Sequence, residues 1–410
     1  MRWRTWVPLG VLTVSVFALA RVEVPDDLGT WAQGPLEGQV VLTLGAQDDG
    51  VLAGTRSGLF RLAARGTSHD LDVEPPVHAL VADADGQLWA GTDQGAIRVG
   101  QAVGTLPDLT GAPVRALGRQ GPDLLAGGDS GAWRVGEDGQ WVRVWPVDGA
   151  EPASVGALIG TPAGILFSHP DGLALLHDDG RVEPVLPDVD VVALGSWPAS
   201  GEVWVGTRGA PLLLVSDDDG LTWTSRSNGL GHNAIHAVAQ DPADPTVLVA
   251  GGSGLADGTG NAGTQVSHDA GRTWEAEQDR LSNTHIFAVL ATSEPLRLGL
   301  RLTGSAWGTT IPLPVTTTRW YAATNGAGVA TLRPSMPALE AVASTSPYLR
   351  LAEPLLAGLI LVSVVVAAYR HPSTIRTPAQ RGPPGPTPSP GRTSHTGRSI
   401  TDHDNRGENA

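Results

Sequence analysis

Two octapeptides set a hydroxyl, a carboxylate, a glycine and a tryptophan at one spacing: Ser216-x-Asp218-x-Gly220-x-Thr222-Trp223 and Ser267-x-Asp269-x-Gly271-x-Thr273-Trp274. A carboxylate two residues from a serine could serve as a base or hold a cation. The same pattern is also what a tight hairpin loop requires. Serine and aspartate side chains bond loop amides, the glycine takes a positive φ, and the tryptophan packs between layers. The local reading accounts for every residue of the motif, so these carboxylates are expected to make turns and not to do acid–base work.

Histidine is the next candidate. His232, His236 and His285 each fall at the start of a β-like run, and His78 takes the same place as His236 in its own run. Without acidic or histidine partners at ligand spacing they predict no metal site. Ala256–Gly263 (ADGTGNAG) has the flavour of a calcium loop, but a Gly-rich turn explains it as well. Gly251-Gly252-Ser253-Gly254 lacks the G-x-S-x-G spacing of a nucleophile elbow. The chain has no cysteine, which excludes disulfides, thiol catalysis and Cys-ligated metals. No pattern calls for a cofactor.

The elements that would position these residues follow from composition and periodicity. The 410 residues include 53 glycines and 32 prolines, while 17% are charged and 41% apolar. That much Gly and Pro disfavours long helices, and the apolar content argues against wholesale disorder, leaving short strands joined by turns. The net charge is −15, and all 27 basic residues are arginine. Without the two terminal segments the body carries 19 arginines and 39 acids, about −20, which argues against nucleic-acid binding.

Residues 30–335 repeat. A short strand with a small residue at a fixed place recurs at Thr43, Ala79, Ala116, Ala157, Ala193, Ala237 and Ala288, with gaps of 36, 37, 41, 36, 44 and 51 residues. About ten residues later most copies carry a second strand ending in a glycine turn, as in LAGTRSGLFR (52–61) and WAGTDQGAIR (89–98). Seven units of this length, each with up to four strands, predict an all-β, seven-bladed β-propeller over 29–335. The small residue suits an innermost strand where blades converge, a constraint that a β-sandwich would not impose. Trp223 and Trp274 lie seven residues before Leu230 and Leu281, which precede Ala237 and Ala288 by seven more. Near the start, Trp31 leads to Leu36, and Leu36 is again seven residues before Thr43. Gly29-Thr30-Trp31 is therefore expected to form the outer strand of the last blade, around Tyr321–Leu332, closing the ring from the N-terminal side.

The two octapeptides resemble the Asp-box, or BNR repeat, of sialidase-like and sortilin-like propellers. Asp85-Gly86-Gln87-Leu88-Trp89-Ala90-Gly91-Thr92 is similar to the D-G-x-L-W-x-G-T hairpins of bacterial sensor-kinase propellers. The whole region thus resembles the mixed WD-repeat, YVTN and BNR-like superfamily. Within it, architecture and compartment are similar to the photosystem II assembly factors, extracytoplasmic propellers that bind membrane-protein subunits. Sialidases of this fold need an arginine triad, a tyrosine nucleophile and an acid/base Asp. Neither Arg-Ile-Pro nor Arg-Leu-Pro occurs, and of three tyrosines only Tyr321 lies within the repeats, at a strand position.

Two irregularities mark a possible contact surface. The sixth repeat inserts Leu255–Gly263, and the seventh extends over 294–318 with an apolar stretch off the blade pattern. Long insertions of repeat proteins often carry binding, so Leu298, Leu300, Trp307 and Ile311 are expected to touch a partner or the membrane surface.

The ends set the address. Arg2 and Arg4 precede an apolar run from Trp6 to Ala20 that closes on Ala18-Leu19-Ala20, the form of a signal-peptidase site, so 1–20 reads as a signal peptide or signal anchor. After a linker at 336–349, the uncharged run Pro354–Tyr369 predicts a transmembrane helix over 350–370. The Pro-rich segment 371–410, with five arginines against three acids and Arg370 just before it, reads as a disordered cytoplasmic tail. The expectation is a single-pass membrane protein whose extracytoplasmic propeller is a non-enzymatic binding or assembly module. Its partner would be a membrane or envelope protein, or a glycan. The alternative is an extracellular glycoside hydrolase built on two carboxylates.

Overall fold

The computed structural model describes residues 20–23, 30–47, 50–62, 68–100, 112–135, 140–146, 151–255, 260, 263–276, 281, 284–302 and 308–333. These form seven antiparallel sheets, the blades of a β-propeller. In chain order the blades span 41–70, 77–98, 114–145, 158–187, 191–225, 232–276 and 286–332. Five have four described strands, the second has three, and the seventh has five. Innermost strands contact those of the preceding and following blades, and the seventh returns to the first.

Closure runs through the seventh blade. Ala32–Gln33 pairs antiparallel with Val329–Leu332 as its outermost strand, with Ala32 opposite Thr331 and Gln33 opposite Ala330. The strand lies one residue beyond the Gly29-Thr30-Trp31 expected from the heptad spacing. Trp31 instead is buried between the sixth and seventh blades, with Leu281, Ile286 and Trp320.

The core is divided by interface. Seven apolar clusters among the described residues each join two successive blades. Leu52 and Leu59 of the first blade meet Val77, Leu88 and Ala90 of the second. Tyr321 and Val329 of the seventh meet Val41, Val51 and Leu62 of the first. Each second strand is therefore covered on both faces, and its sequence reads as a continuous buried run, such as Leu88–Thr92 or Val203–Thr207, in place of the alternation of a half-exposed sheet.

The recurring small residue has a partner that explains it. Thr43 stands opposite Gly54, Ala79 opposite Gly91, Ala116 opposite Gly127, Ala193 opposite Gly206 and Ala237 opposite Gly251. A Cβ added at Gly206 would lie 2.3 Å from the carbonyl oxygen of Ile235, and one at Gly54 would lie 2.7 Å from Cγ1 of Val77. Both residues lie on the innermost strand of the next blade. The glycine thus sets the distance at which successive blades pack.

The long stretch in the seventh repeat continues blade strands. The first two strands of the seventh blade are Ile286–Leu302 and Gly308–Thr324, and they run on past the blade as a two-stranded ribbon. Ala20–Glu23 adds to its distal part against 299–302. In the sixth blade the insertion separates the second strand, Leu248–Leu255, from the third, Thr264–Ser267. Among the described residues no helix is long and apolar enough to cross a membrane. The predicted helix over 350–370, the tail and residues 1–19 lie outside the described residues.

Candidate functional site

Six innermost strands carry a β-bulge at one place. Register with the second strand skips one residue between Val41 and Thr43, Val77 and Ala79, Val114 and Ala116, Val191 and Ala193, Ile235 and Ala237, and Ile286 and Ala288. The extra residues are Leu42, His78, Arg115, Val192, His236 and Phe287. The fourth blade reaches the same end differently: Ser168 Oγ accepts from the amides of Gly156 (3.1 Å) and Ala157 (2.9 Å). A bulge bends the strand and re-aims one side chain. Repeated around the ring, it presents a side chain of free choice from each blade at the starts of the innermost strands. The turns between second and third strands share this face, as the Gly209 amide bonding Asn233 O (2.9 Å) and the Asn325 amide bonding His285 O (3.2 Å) attest.

Two clusters stand out on this bulged face. In the second and third blades, Nε2 of His78 lies 2.8 Å from Asp93 Oδ1 and 2.8 Å from Arg115 Nη1, and Arg115 Nη1 lies 3.0 Å from the same carboxylate oxygen. A protonated Nε2 satisfies the aspartate, whereas a bare one accepts from the arginine. Asp93 and Arg115 are partly exposed, so the three form a charged, solvent-facing cluster.

The second cluster is aromatic. His236 and His285 stack with centroids 5.0 Å apart, and Phe287 stacks on His285 at 4.2 Å. His236 Nε2 meets Ser253 Oγ at 2.9 Å. Burial, with His285, Arg208 and His232 nearby, holds the His236 pKa down to about 4. Burial also lowers His285 and His232. His232 is buried, with Nε2 3.1 Å from Gly263 O. All three rings are thus neutral near pH 7, with Nε2 of His285 and Nδ1 of His232 buried without a hydrogen-bond partner in the described structure. No group of three metal-ligating side chains occurs among the described residues. Sequence reading set His236 and His285 at the starts of their strands but did not pair them. It also missed Asp93, Arg115 and Phe287. The available signal was the residue just before the fixed small one in each repeat.

The two octapeptide loops lie elsewhere, between third and fourth strands and hence toward the opposite face. Ser216 Oγ accepts from the Gly220 amide (2.8 Å) and donates to Asp218 Oδ1 (2.7 Å). Asp218 in turn accepts from the Thr222 amide (2.8 Å) and hydroxyl (2.6 Å), which holds its pKa at about 2. Ser267, Asp269, Gly271 and Thr273 repeat the network, with Asp269 also near 2. Trp223 Nε1 donates to Gly220 O, and Trp274 Nε1 to Gly271 O. Trp274 is buried between the fifth and sixth blades, and Trp223 packs against the fourth–fifth interface. Each carboxylate oxygen is occupied by its own loop.

Tyr321 donates to Glu294 Oε1, while Arg319 and Arg333 approach Oε2 at 3.5 and 3.4 Å. This tyrosine–carboxylate pair has the residue types of a sialidase nucleophile, but Tyr321 is buried between the seventh and first blades. Burial pushes its pKa up, the reverse of what a nucleophile needs. Leu298, Leu300 and Ile311 lie on the ribbon, far along the strands from the bulges, and Trp307 lies outside the described residues.

No family model matches the chain, and no curated protein matches it. Solved structures do. The extracellular domain of the hybrid two component system BT4673 from B. thetaiotaomicron aligns at 17% identity and TM-score 0.53, covering 74% of this chain and 39% of that one. This chain therefore corresponds to well under half of that protein's length. YCF48 bound to a D1 peptide aligns at 14% identity and TM-score 0.50, covering 77% of this chain and 100% of that one. These likenesses show the propeller fold.

Proposed function

We propose that this chain is a membrane-anchored, extracytoplasmic propeller that binds a segment of a membrane or envelope protein on its bulged face, without catalysis. The observation that carries this reading is the repeated bulge, which sets His78, Arg115, His236 and Phe287 on one face, beside Asp93 and Arg208 from the turns. Their chemistry suits a polypeptide. The Arg115–Asp93–His78 cluster offers both a cation and an anion to backbone or side-chain groups. The stacked His285–Phe287 surface offers a neutral aromatic platform.

The similar structures support the choice of partner class: one is an extracellular domain of a sensor system, and the other was solved with a bound peptide. Membrane anchoring is read from the apolar run at 354–369, and export from the run at 6–20. The two octapeptides, which resemble Asp-boxes, serve as loop locks. The test is affinity capture from native membranes through a tag after Ala410, followed by mass spectrometry, for the native chain and for Arg115→Ala/His236→Ala. A stoichiometric membrane-protein partner that drops about tenfold with the double variant, as a central recognition pair would require, supports the proposal. A partner retained by the variant moves the site elsewhere. A partner-free chain that degrades a glycan refutes it.

A further inference from the structure

The ribbon of the seventh blade separates its residues by kind, and the register alone fixes how. Residues directly opposite each other across strands share a face, and faces alternate along a strand. Leu298 stands opposite Ile311 and Leu300 opposite Thr309. On the other edge Val22 stands opposite Leu300 and Ala20 opposite Leu302. Positions 20, 22, 298, 300, 302, 309 and 311 therefore fall on one face, and all but Thr309 are apolar. Arg301 stands opposite Arg21 and Gly299 opposite Glu23, with Arg297 in the same phase. Every charged residue of the three paired segments, three arginines and one glutamate, thus falls on the other face. On a body of about −20, this is a cationic patch.

Topology says what this ribbon meets. The innermost strand begins at the bulged face with Ile286 and leaves the blade at the opposite end, where the ribbon projects. Ala20 pairs at Leu302 and Glu23 at Gly299, nearer the blade. The apolar run 6–20 therefore joins the ribbon at its distal end. The last strand, Val329–Leu332, also runs toward this side, and Arg333 reaches Glu294 there at 3.4 Å. The chain leading to the apolar run 354–369 leaves from the same face as the ribbon.

We infer that the ribbon is a membrane-docking element that lays its apolar face on an anionic phospholipid bilayer, leaving the bulged face turned away from the lipid. The apolar positions seat at the boundary between headgroups and acyl chains, and the three arginines of the ribbon add positive charge that favours an anionic surface. The base of the ribbon is fixed to the ring. Glu294 is held by Tyr321, Arg319 and Arg333, and Thr318 Oγ1 donates to Asp241 of the sixth blade at 2.6 Å. Docking thereby orients the whole propeller. This inference rests on reading 6–20 and 354–369 as membrane-directed.

The chain is free of cysteine, so single labels can be placed without background. Full-length Leu300→Cys, Ile311→Cys, Arg301→Cys and Thr310→Cys, each carrying an environment-sensitive fluorophore, are reconstituted in nanodiscs of phosphatidylglycerol and phosphatidylcholine. Val142→Cys, at an exposed position on an outer strand, reports a folded, lipid-free site. Nitroxide-bearing lipids are expected to quench labels at 300 and 311 several-fold more than labels at 301, 310 and 142. Replacing phosphatidylglycerol by phosphatidylcholine is expected to weaken that quenching. Equal quenching on the two faces overturns the inference. Labels at 300 and 311 shielded from aqueous iodide yet untouched by lipid nitroxides overturn it too, because protein then covers the face. A chain that does not enter the discs overturns the anchoring reading along with it, whereas a chain that enters without alternation overturns the ribbon inference alone.

Discussion

His236 and His285 stack at 5.0 Å between ring centroids although they belong to neighbouring blades. The contact exists because His236 is the bulged residue of the sixth blade and His285 immediately precedes the innermost strand of the seventh. Packing of one blade against the next thus places two imidazoles where a single added proton would meet another histidine and Arg208.

That arrangement predicts an acid-sensitive ring. The His236 pKa is held near 4 in the folded chain, against 6.5 for a free histidine. The unfolded state therefore binds the proton more readily. Stability is fully present above pH 6.5 and is lost as pH falls toward 4. His236 alone should lower stability by about 2 kcal/mol between pH 7 and pH 5. Thermal melting across this range, comparing the native chain with His236→Asn, is expected to show a shallower acid slope for the variant. An unchanged slope would remove His236 from the account.

The octapeptide loops predict a stability effect without a binding effect. Ser216 is buried, and its hydroxyl is the acceptor for the Gly220 amide. Ser216→Ala leaves that amide unpaired at a cost of about 1–3 kcal/mol, and Ser267→Ala should match it through Gly271. Denaturant unfolding measures the loss, and partner capture should stay at the native level. Loss of capture at native stability would give these loops a recognition role instead.

Glycine positions predict a contrast. Gly206→Ala forces a Cβ to 2.3 Å from a backbone oxygen that cannot rotate away, and should destabilise by about 1–3 kcal/mol or more. At Gly156 the nearest atom to an added Cβ is Ser168 Oγ at 3.6 Å, so Gly156→Ala should stay within about 0.5 kcal/mol. Equal melting temperatures for the two variants would show that blade spacing is not set at Gly206.

Much of the fold was legible because one constraint recurs. The small residue at Thr43, Ala79, Ala116, Ala193 and Ala237 faces a second-strand glycine, and that pair leaves its trace in five of the seven repeats. The heptad from Leu36 to Thr43, with Trp31 ahead of it, located the closing strand to within one residue. The ribbon was harder: its alternation, Leu296 to Leu302 on even positions, was in the sequence, but its length broke the blade spacing and read as an insertion. The binding face was the least legible part. A bulge changes register without any residue preference, so His78, Arg115, His236 and Phe287 share a position but no chemistry. Glu294 and Tyr321 illustrate the converse: their types suggest catalysis, and only their depth between two blades assigns them to structure.

Seven blades are joined into a ring by a strand of two residues, Ala32 and Gln33, borrowed from the other end of the chain. The six remaining blades are continuous in sequence, and a pull on either end of the chain meets the pairings of the seventh blade, Ala20–Glu23 with 299–302 among them, before it reaches them. Mechanical load is concentrated on this one composite blade, where the two ends of the repeat region meet.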